Sequence, residues 1–284
     1  MTIGLIISVI RKNDTETYIY DVDKPHAVSE IVDSIGNSLI SINQQSISYN
    51  PFGKTASIAQ GIYNYTITYG IDAQRKKTVL KESNIVTETR IYSGLYEKQT
   101  TASATKEFHY IPTPCGTVAV NIRENNVGIT YFLLKDYLSS IIMVVDNQGV
   151  TIEEHSYDPW GNHRDPITWT LTNFTTNLSV NRGYTGHEML PTFQLINMNG
   201  RMYDPIIGRM LAPDNYIANP LNAQDYNRYS YARSNPLKYT DPTGQWIHIV
   251  VGAAVGGIMN LIMNAGNLDK GWKGVGQCPL ARAR

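Results

Sequence analysis

One turn signature recurs along this chain and limits what it can fold into. Its copies are Tyr49-Asn50-Pro51-Phe52-Gly53, Tyr157-Asp158-Pro159-Trp160-Gly161 and Tyr203-Asp204-Pro205-Ile206-Ile207-Gly208. In each copy the tyrosine ends a strand and the Asn or Asp bonds the backbone two residues on. Proline fixes φ, and glycine supplies the left-handed position that closes a hairpin. A single hairpin buries too little surface to stand alone, so such units are expected to add side by side into one curved sheet.

The segments between these turns agree with that reading. From residue 18 to about 160, short runs such as Tyr63-Asn64-Tyr65-Thr66-Ile67-Thr68-Tyr69 alternate aromatic or β-branched residues at period two, and Gly, Pro, Asn and Asp punctuate them. Tyrosine, with 19 copies against 5 phenylalanines, suits strand positions where a ring packs on the sheet and a hydroxyl reaches water or backbone. No sustained helical period occurs before residue 245, so the fold class is all-β. Met1 to Ile10 is apolar but lacks a basic flank or a small-residue cleavage site, and reads as a strand rather than a signal peptide.

Charge narrows the functional classes. Lys plus Arg and Asp plus Glu both number 24, so a neutral chain offers no electrostatic footprint for nucleic acid or an anionic membrane as its primary partner. Cys115 and Cys278 match no metal or redox spacing; they read as unpaired thiols, with a disulfide as the alternative. The 6 histidines show no ligand spacing either, so no metal and no cofactor is expected. His187, within Gly186-His187-Glu188, is expected to buttress a core through hydrogen bonds. Trp160, Trp169 and Trp246 fit core packing, or stacking on a carbohydrate as the alternative.

The C-terminal part differs. Trp246 to Met263 is apolar and glycine-rich, just under the roughly 20 residues of a membrane span. It reads as a short hydrophobic helix, buried in protein; membrane contact by residues 247–263 is the lesser alternative. Beyond it, the sequence to Arg284 carries no pattern and reads as the remnant of a truncated variable region.

Residues 182–245 carry a long ordered set of motifs: Arg182-Gly183-Tyr184-Thr185-Gly186-His187-Glu188, Asn197-Met198-Asn199-Gly200-Arg201-Met202-Tyr203-Asp204-Pro205, Gly208-Arg209-Met210-Leu211-Ala212-Pro213-Asp214, Asn227-Arg228-Tyr229-Ser230-Tyr231, and Asn235-Pro236-Leu237-Lys238-Tyr239-Thr240-Asp241-Pro242-Thr243-Gly244. This stretch resembles the Rhs repeat-associated core. Lys24-Pro25-His26-Ala27-Val28, the segment Tyr69 to Leu80 and the segment Tyr131 to Gly161 resemble YD-repeat units leading into it. In the last of these the family's Asp-x-Leu-Gly-Ser appears as Asp136-Tyr137-Leu138-Ser139-Ser140, without its glycine.

The resemblance implies a YD-repeat sheet over residues 1–181, forming part of a hollow β-shell. A core at 182–245 would plug one end, and a variable region would follow at 246–284. In bacterial polymorphic toxins of this family the shell encloses a C-terminal effector; other members serve at cell surfaces. A secreted or surface location is therefore implied, although the chain shows no export signal. The implied partners are an effector or an immunity protein in the full-length context, and the residues after Gln245 are too few to be an effector themselves. A third reading is a module that binds carbohydrate or protein through aromatic strand faces. A few repeats taken from a spiral should also leave a sheet edge to be covered.

The resemblance further implies self-cleavage by an aspartyl-type pair. That chemistry asks for two carboxylates close enough to share a proton, one acting as base on water and the other protonating the carbonyl or leaving group. By motif position the pair is Asp214 and Asp241, brought together only if the intervening segment loops back. Arg201 would hold a carboxylate ionised or stabilise an oxyanion, and the bond cut would be Gln245–Trp246. This sequence departs from the family where Asn215-Tyr216-Ile217-Ala218 follows Asp214 and where Gln245 replaces leucine. Two readings stand for Asp214 and Asp241: a proteolytic pair, or turn aspartates in Pro-Asp and Asp-Pro corners.

Overall fold

The computed structural model of the protein describes residues 8–11, 14–20, 28–32, 38–41, 45–113, 116–174, 179–215, 217, 221–244 and 248–249. Its architecture is all-β. Strands β1 (Ser8–Arg11), β2 (Asp14–Tyr20), β3 (Val28–Val32) and β4 (Ser38–Ser41) form a four-stranded antiparallel sheet. An eleven-stranded meander follows: β5 (Ser46–Tyr49), β6 (Thr55–Gln60), β7 (Tyr63–Tyr69), β8 (Arg75–Glu82), β9 (Ile85–Ser93), β10 (Tyr96–Thr101), β11 (Thr105–Thr113), β12 (Gly116–Glu124), β13 (Val127–Lys135), β14 (Ile141–Val145) and β15 (Thr151–Glu154). Each strand pairs antiparallel with its sequence neighbours, and the curved sheet stays open at β5 and β15.

The turns form as their residues dictate. Asn50 Oδ1 accepts from the backbone N–H groups of Phe52 and Lys54, both at 3.0 Å, while Gly53 sits at φ 72°. Asp158 Oδ1 does the same for Trp160 and Asn162 at 2.9 Å, with Gly161 at φ 91°. The pattern extends to turns without proline: Asp146 accepts from Gln148 and Val150, and Asp136 from Leu138 and Ser140. At the second of these the left-handed position is taken by Ser139, at φ 71°. The turn survives without glycine, and the serine carries the strain. Tight two-residue hairpins at Ser83-Asn84 and Asn125-Asn126 have both residues at positive φ, the primed geometry whose twist matches the strands.

Period-two patterning decides which face is covered. In β7, Tyr65 and Ile67 are buried while Thr66 and Thr68 are exposed. The covered face meets a second layer built from residues 180–244. This layer holds β18 (Glu188–Leu190), β19 (Leu195–Asn197), β20 (Met202–Asp204) and β21 (Arg209–Met210), after the small hairpin β16 (Ser156–Tyr157) and β17 (His163–Arg164). Ile58, Tyr65 and Ile67 of the sheet pack with Leu190, Phe193, Leu195 and Met202. Phe108, Tyr110, Val120, Leu133 and Val144 pack with Val180. A third cluster lies within the second layer around Tyr184, Met198, Tyr203 and Tyr231, with Trp160 against it. Full burial of each such side chain contributes about 1.5–3 kcal/mol.

Between the two layers lies a buried ionic cluster. Strand pairing places Glu97 between Tyr92 and Phe108, on the covered face. Arg90 donates to it at 3.1 Å, and Arg182 of the second layer pairs with its other oxygen. Glu188 reaches back from the second layer to accept from Tyr92 Oη at 2.7 Å and to pair with Arg75. The guanidinium groups of Arg75 and Arg182 also lie over the rings of Tyr92 and Tyr110, at 4.0 and 5.3 Å. Burial alone would push the Glu97 carboxyl up, but Arg182 and Arg90 outweigh it and hold the group below its usual range.

Of the apolar C-terminal run, His248–Ile249 (β23) pairs antiparallel with Tyr239–Thr240 (β22). The run's remaining residues, where the short hydrophobic helix is expected, lie outside the described residues, as do Cys115 and Cys278. Among the described residues no helix is long and apolar enough to cross a membrane.

Because Ser139 is exposed and left-handed, Ser139→Gly should relieve backbone strain without touching a neighbour. A gain of about 0.5–1 kcal/mol is expected, read as a higher urea midpoint with an unchanged denaturant slope. A lowered midpoint would show that the serine stabilises this turn.

Candidate functional site

The site is organised by Arg201, at the turn between β19 and β20. Asn199 there adopts φ 65°, and its backbone N–H bonds Asn197 Oδ1 at 2.9 Å. The turn presents the Gly200 N–H to the carbonyl of Thr243 at 3.0 Å, which docks the loop 241–244 against the hairpin. Gly244 fits there because it lacks a side chain: a Cβ would lie 2.2 Å from the Met198 carbonyl oxygen, and its φ is +72°.

The Arg201 guanidinium, 7% exposed, then spends its donors on four groups. Nε donates to the Gly244 carbonyl at 2.6 Å and Nη1 to the Arg228 carbonyl at 3.3 Å. Nη2 contacts Asp241 Oδ2 at 3.1 Å and Asp214 Oδ2 at 3.0 Å. The two aspartates thus meet on one nitrogen. They do so because the segment between them returns on itself: Asp214 N–H donates to the Arg228 carbonyl at 2.8 Å, and Arg228 Nε donates back to the Asp214 carbonyl.

The two carboxylates differ in setting. Asp241 is buried, its side chain 2% exposed, whereas Asp214 is 20% exposed and lines a cleft of about 650 Å³. Phe52, Lys54, Gly200, Arg201 and Asn215 share that lining, so part of the wall comes from the first turn of the sheet. Gln245 and Trp246, the residues of the expected cut, lie outside the described residues. The last described carbonyl before them, that of Gly244, is held by Arg201.

His187 supports the same loop from behind. Its Nε2 lies 3.2 Å from the Pro242 carbonyl and its Nδ1 2.8 Å from Thr185 Oγ1, so Nε2–H donates to Pro242 while Nδ1 accepts from the hydroxyl. Burial pushes the imidazole down to about 4; the Pro242 contact opposes this in part, while Arg182 and Arg75 add to it. Among the tryptophans, Trp160 packs beneath Gly208, and Trp169 is exposed with the Arg164 guanidinium 4.3 Å over its ring.

Arg228, whose carbonyl and guanidinium tie the returning segment, lies within the Asn227–Tyr231 motif, but sequence reasoning gave it no role because its contacts are to distant backbone groups. The ionic cluster had a faint signal. Arg90 occupies a position that strand alternation turns inward, where an apolar residue would be ordinary.

With fold and geometry in hand, relatives can be placed. Residues 39–237 match the family model described as Teneurin YD-shell. The chain belongs to the YD-shell family, within the Rhs/YD-repeat proteins. It is 27% identical over 264 residues to the tRNA(Glu)-specific nuclease WapA of Bacillus subtilis subsp. natto, covering 85% of this chain and 11% of the relative. To Teneurin-1 of Gallus gallus it is 28% identical over 135 residues, covering 44% of this chain and 5% of the relative. The chain thus spans about a tenth of the length of the WapA relatives it matches. The crystal structure of TcdB2-TccC3 without its hypervariable C-terminal region shares the fold, with a TM-score of 0.59 at 18% identity over 81% of this chain and 13% of that one. TcdB2-TccC3-Cdc42 gives 0.60 at 16% identity, over 82% and 14%. This YD-shell chain is a structural shell module with one face of its sheet covered by a second layer.

The buried His187 makes stability depend on pH. Its folded-state pKa lies below the roughly 6.5 of an unfolded chain, so between these values the unfolded state binds more protons. Stability from this group is complete above about pH 6.5 and falls as the pH drops toward 4, by up to about 1.4 kcal/mol per pH unit. Burial lowers His163 as well, and its slope should remain when His187→Asn is titrated. Equal pH slopes of the urea midpoint in variant and wild type would contradict the role given to His187.

Proposed function

We propose that this chain is the distal wall and plug of an Rhs-type shell, holding and presenting a C-terminal effector rather than acting as one. In this reading residues 1–181 are wall, 182–245 are plug and the residues from 246 lead toward the effector. The carrying observation is the covered face of the sheet: sheet and second layer share two apolar clusters and the ionic cluster. Secretion or surface display, and an effector or immunity protein as partner, go with this reading. The WapA relative is a tRNA nuclease by name, so the sharpest test is tRNA itself. The purified chain should leave a tRNA pool intact over hours with magnesium present. Cleavage by freshly purified protein, lost on heat denaturation, would overturn the proposal.

A second activity has its own support. Asp214, Asp241 and the Gly244 carbonyl all converge on Arg201, one residue ahead of Gln245. We infer that Asp214, open to the cleft, takes a proton from a water attacking the scissile carbonyl of Gln245–Trp246 and returns it to the departing Trp246 amine. Arg201, oriented by Asp241, stabilises the negative charge on the carbonyl oxygen. A guanidinium at that carbonyl would stabilise a developing oxyanion, and the fixed loop would supply positioning. Intact-mass spectrometry of freshly expressed chain decides the matter. Wild type should yield a fragment ending at Gln245, whereas Asp241→Asn and Asp214→Asn should yield only the full-length mass. Because Asp241 is buried in an ion pair, both variants are first shown to keep the wild-type circular dichroism spectrum. Intact wild type, or cleavage unchanged in both folded variants, would remove the proteolytic reading.

A further inference from the structure

A second cavity, of about 490 Å³, lies between the sheet and the second layer, on the far side of the Asn199-Gly200 turn from the aspartates. Three of its lining side chains are cationic, Lys54, Lys135 and Arg182, each from a different part of the chain, and no Asp or Glu lines it. Gln74, Thr117, Asn199 and Thr243 add neutral polar groups. The volume suits a small-molecule ligand.

Among the described residues, the two ammonium groups facing this space have no carboxylate in ion-pair contact. Among the described residues, the Lys135 ammonium has no hydrogen-bond or ion-pair partner. The neighbouring Asp136 carboxylate is committed to the backbone of its own turn. Lys54 Nζ donates to the neutral Ala73 carbonyl at 2.7 Å, and Asp72, which acts on it electrostatically, is paired with Lys76 at 2.7 Å. Arg182 is paired with Glu97, a carboxylate it shares with Arg90, which also contacts Glu88. Burial pushes both lysines down from their usual values, and Arg182 adds to this for Lys135. An anion entering the cavity would relieve the desolvation and the mutual repulsion together.

We propose that this cavity is a binding site for a small multivalent oxyanion, held by Lys135 and Lys54 with Arg182 behind them. The chemistry favours tetrahedral phosphate groups. Lysines act as point charges that suit phosphate, while the planar fork of Arg182, the group better matched to a carboxylate, is already occupied by Glu97. By charge, the sequence from Gln245 to Arg284 is an unsuitable occupant: its only acidic side chain is Asp269, against several Lys and Arg. The proposal needs neither the shell nor the cleavage reading, although Lys54 and Gly200 line both this cavity and the Asp214 cleft.

Isothermal titration of the full chain at low ionic strength tests it, with pyrophosphate in one arm and citrate in the other. Saturable binding of pyrophosphate is expected, at least tenfold weaker in Lys135→Gln and unchanged in Lys106→Gln, an exposed lysine of β11 paired with Glu124. Tighter binding of pyrophosphate than citrate supports the phosphate assignment, and the reverse order overturns it in favour of carboxylates. Lys54→Gln serves as a second variant should Lys135→Gln fail to fold, with the same tenfold loss expected. No saturable heat in either arm, or Lys135→Gln and Lys54→Gln proteins that bind as wild type does, would overturn the site.

Discussion

The pairing of Glu97 and Glu188 with Arg75, Arg90 and Arg182 is the contact on which the two-layer arrangement depends. Apolar packing would hold the second layer against the sheet at many registers, since one Leu or Tyr face fits another tolerably well. Buried charges are far less permissive. An ion taken from water costs several kcal/mol unless a partner meets it with good geometry, so a displaced layer would strand Glu188 and Arg182 away from their sheet partners. The cluster alternates its members across the interface, with Glu97 on the sheet and Arg182 opposite, then Arg75 on the sheet and Glu188 opposite. It therefore specifies one docking position while contributing modestly to net stability. Tyr92 and Tyr110 deepen the effect by offering ring faces to the same guanidinium groups.

That fixed docking is what places the Arg201 site. The hairpin between β19 and β20 belongs to the same small sheet as Glu188, so a layer locked by Glu188 also locks Arg201. Phe52 and Lys54 then form the opposite wall of the cleft from the first turn of the meander. The same geometry explains why a glycine stands at position 244. The loop 241–244 approaches the Met198–Arg201 backbone so closely that any side chain would displace it from the Arg201 fork. Wall, plug and site are one mechanical unit: His187 braces Pro242, and its ring is kept neutral by the burial that the docking creates.

The meander itself is a more local affair. Asx turns close several of its hairpins through bonds spanning two to four residues, two-residue turns close others, and its strands pair with sequence neighbours throughout. Such a sheet can lengthen or shorten by whole hairpins without new long-range contacts, which is the usual economy of repeat folds. Its open strands β5 and β15 are where a preceding or following element would continue the wall.

Local chemistry made the sheet legible from residues alone. Tyr-Asp-Pro turns and period-two strands are short-range signals, and the hairpins formed where Asn50, Asp158 and Asp204 stand; Ser139 shows that even a missing glycine did not abolish its turn. The ordered motifs of residues 182–245 likewise identified the family and the candidate residues Arg201, Asp214 and Asp241. What the sequence could not disclose was which inward positions would carry charge in partnership. Arg90 and Glu97 are ordinary strand residues until Arg182 and Glu188 arrive from far along the chain. Only the tertiary structure seated two aspartates on a single Arg201 nitrogen, through the backbone return at Arg228, and left Lys54 and Lys135 facing a shared cavity. The physical reason is one of range: turn formation is decided over a few bonds, whereas compensation of a buried charge is decided by whatever the folded chain brings within about 4 Å of it.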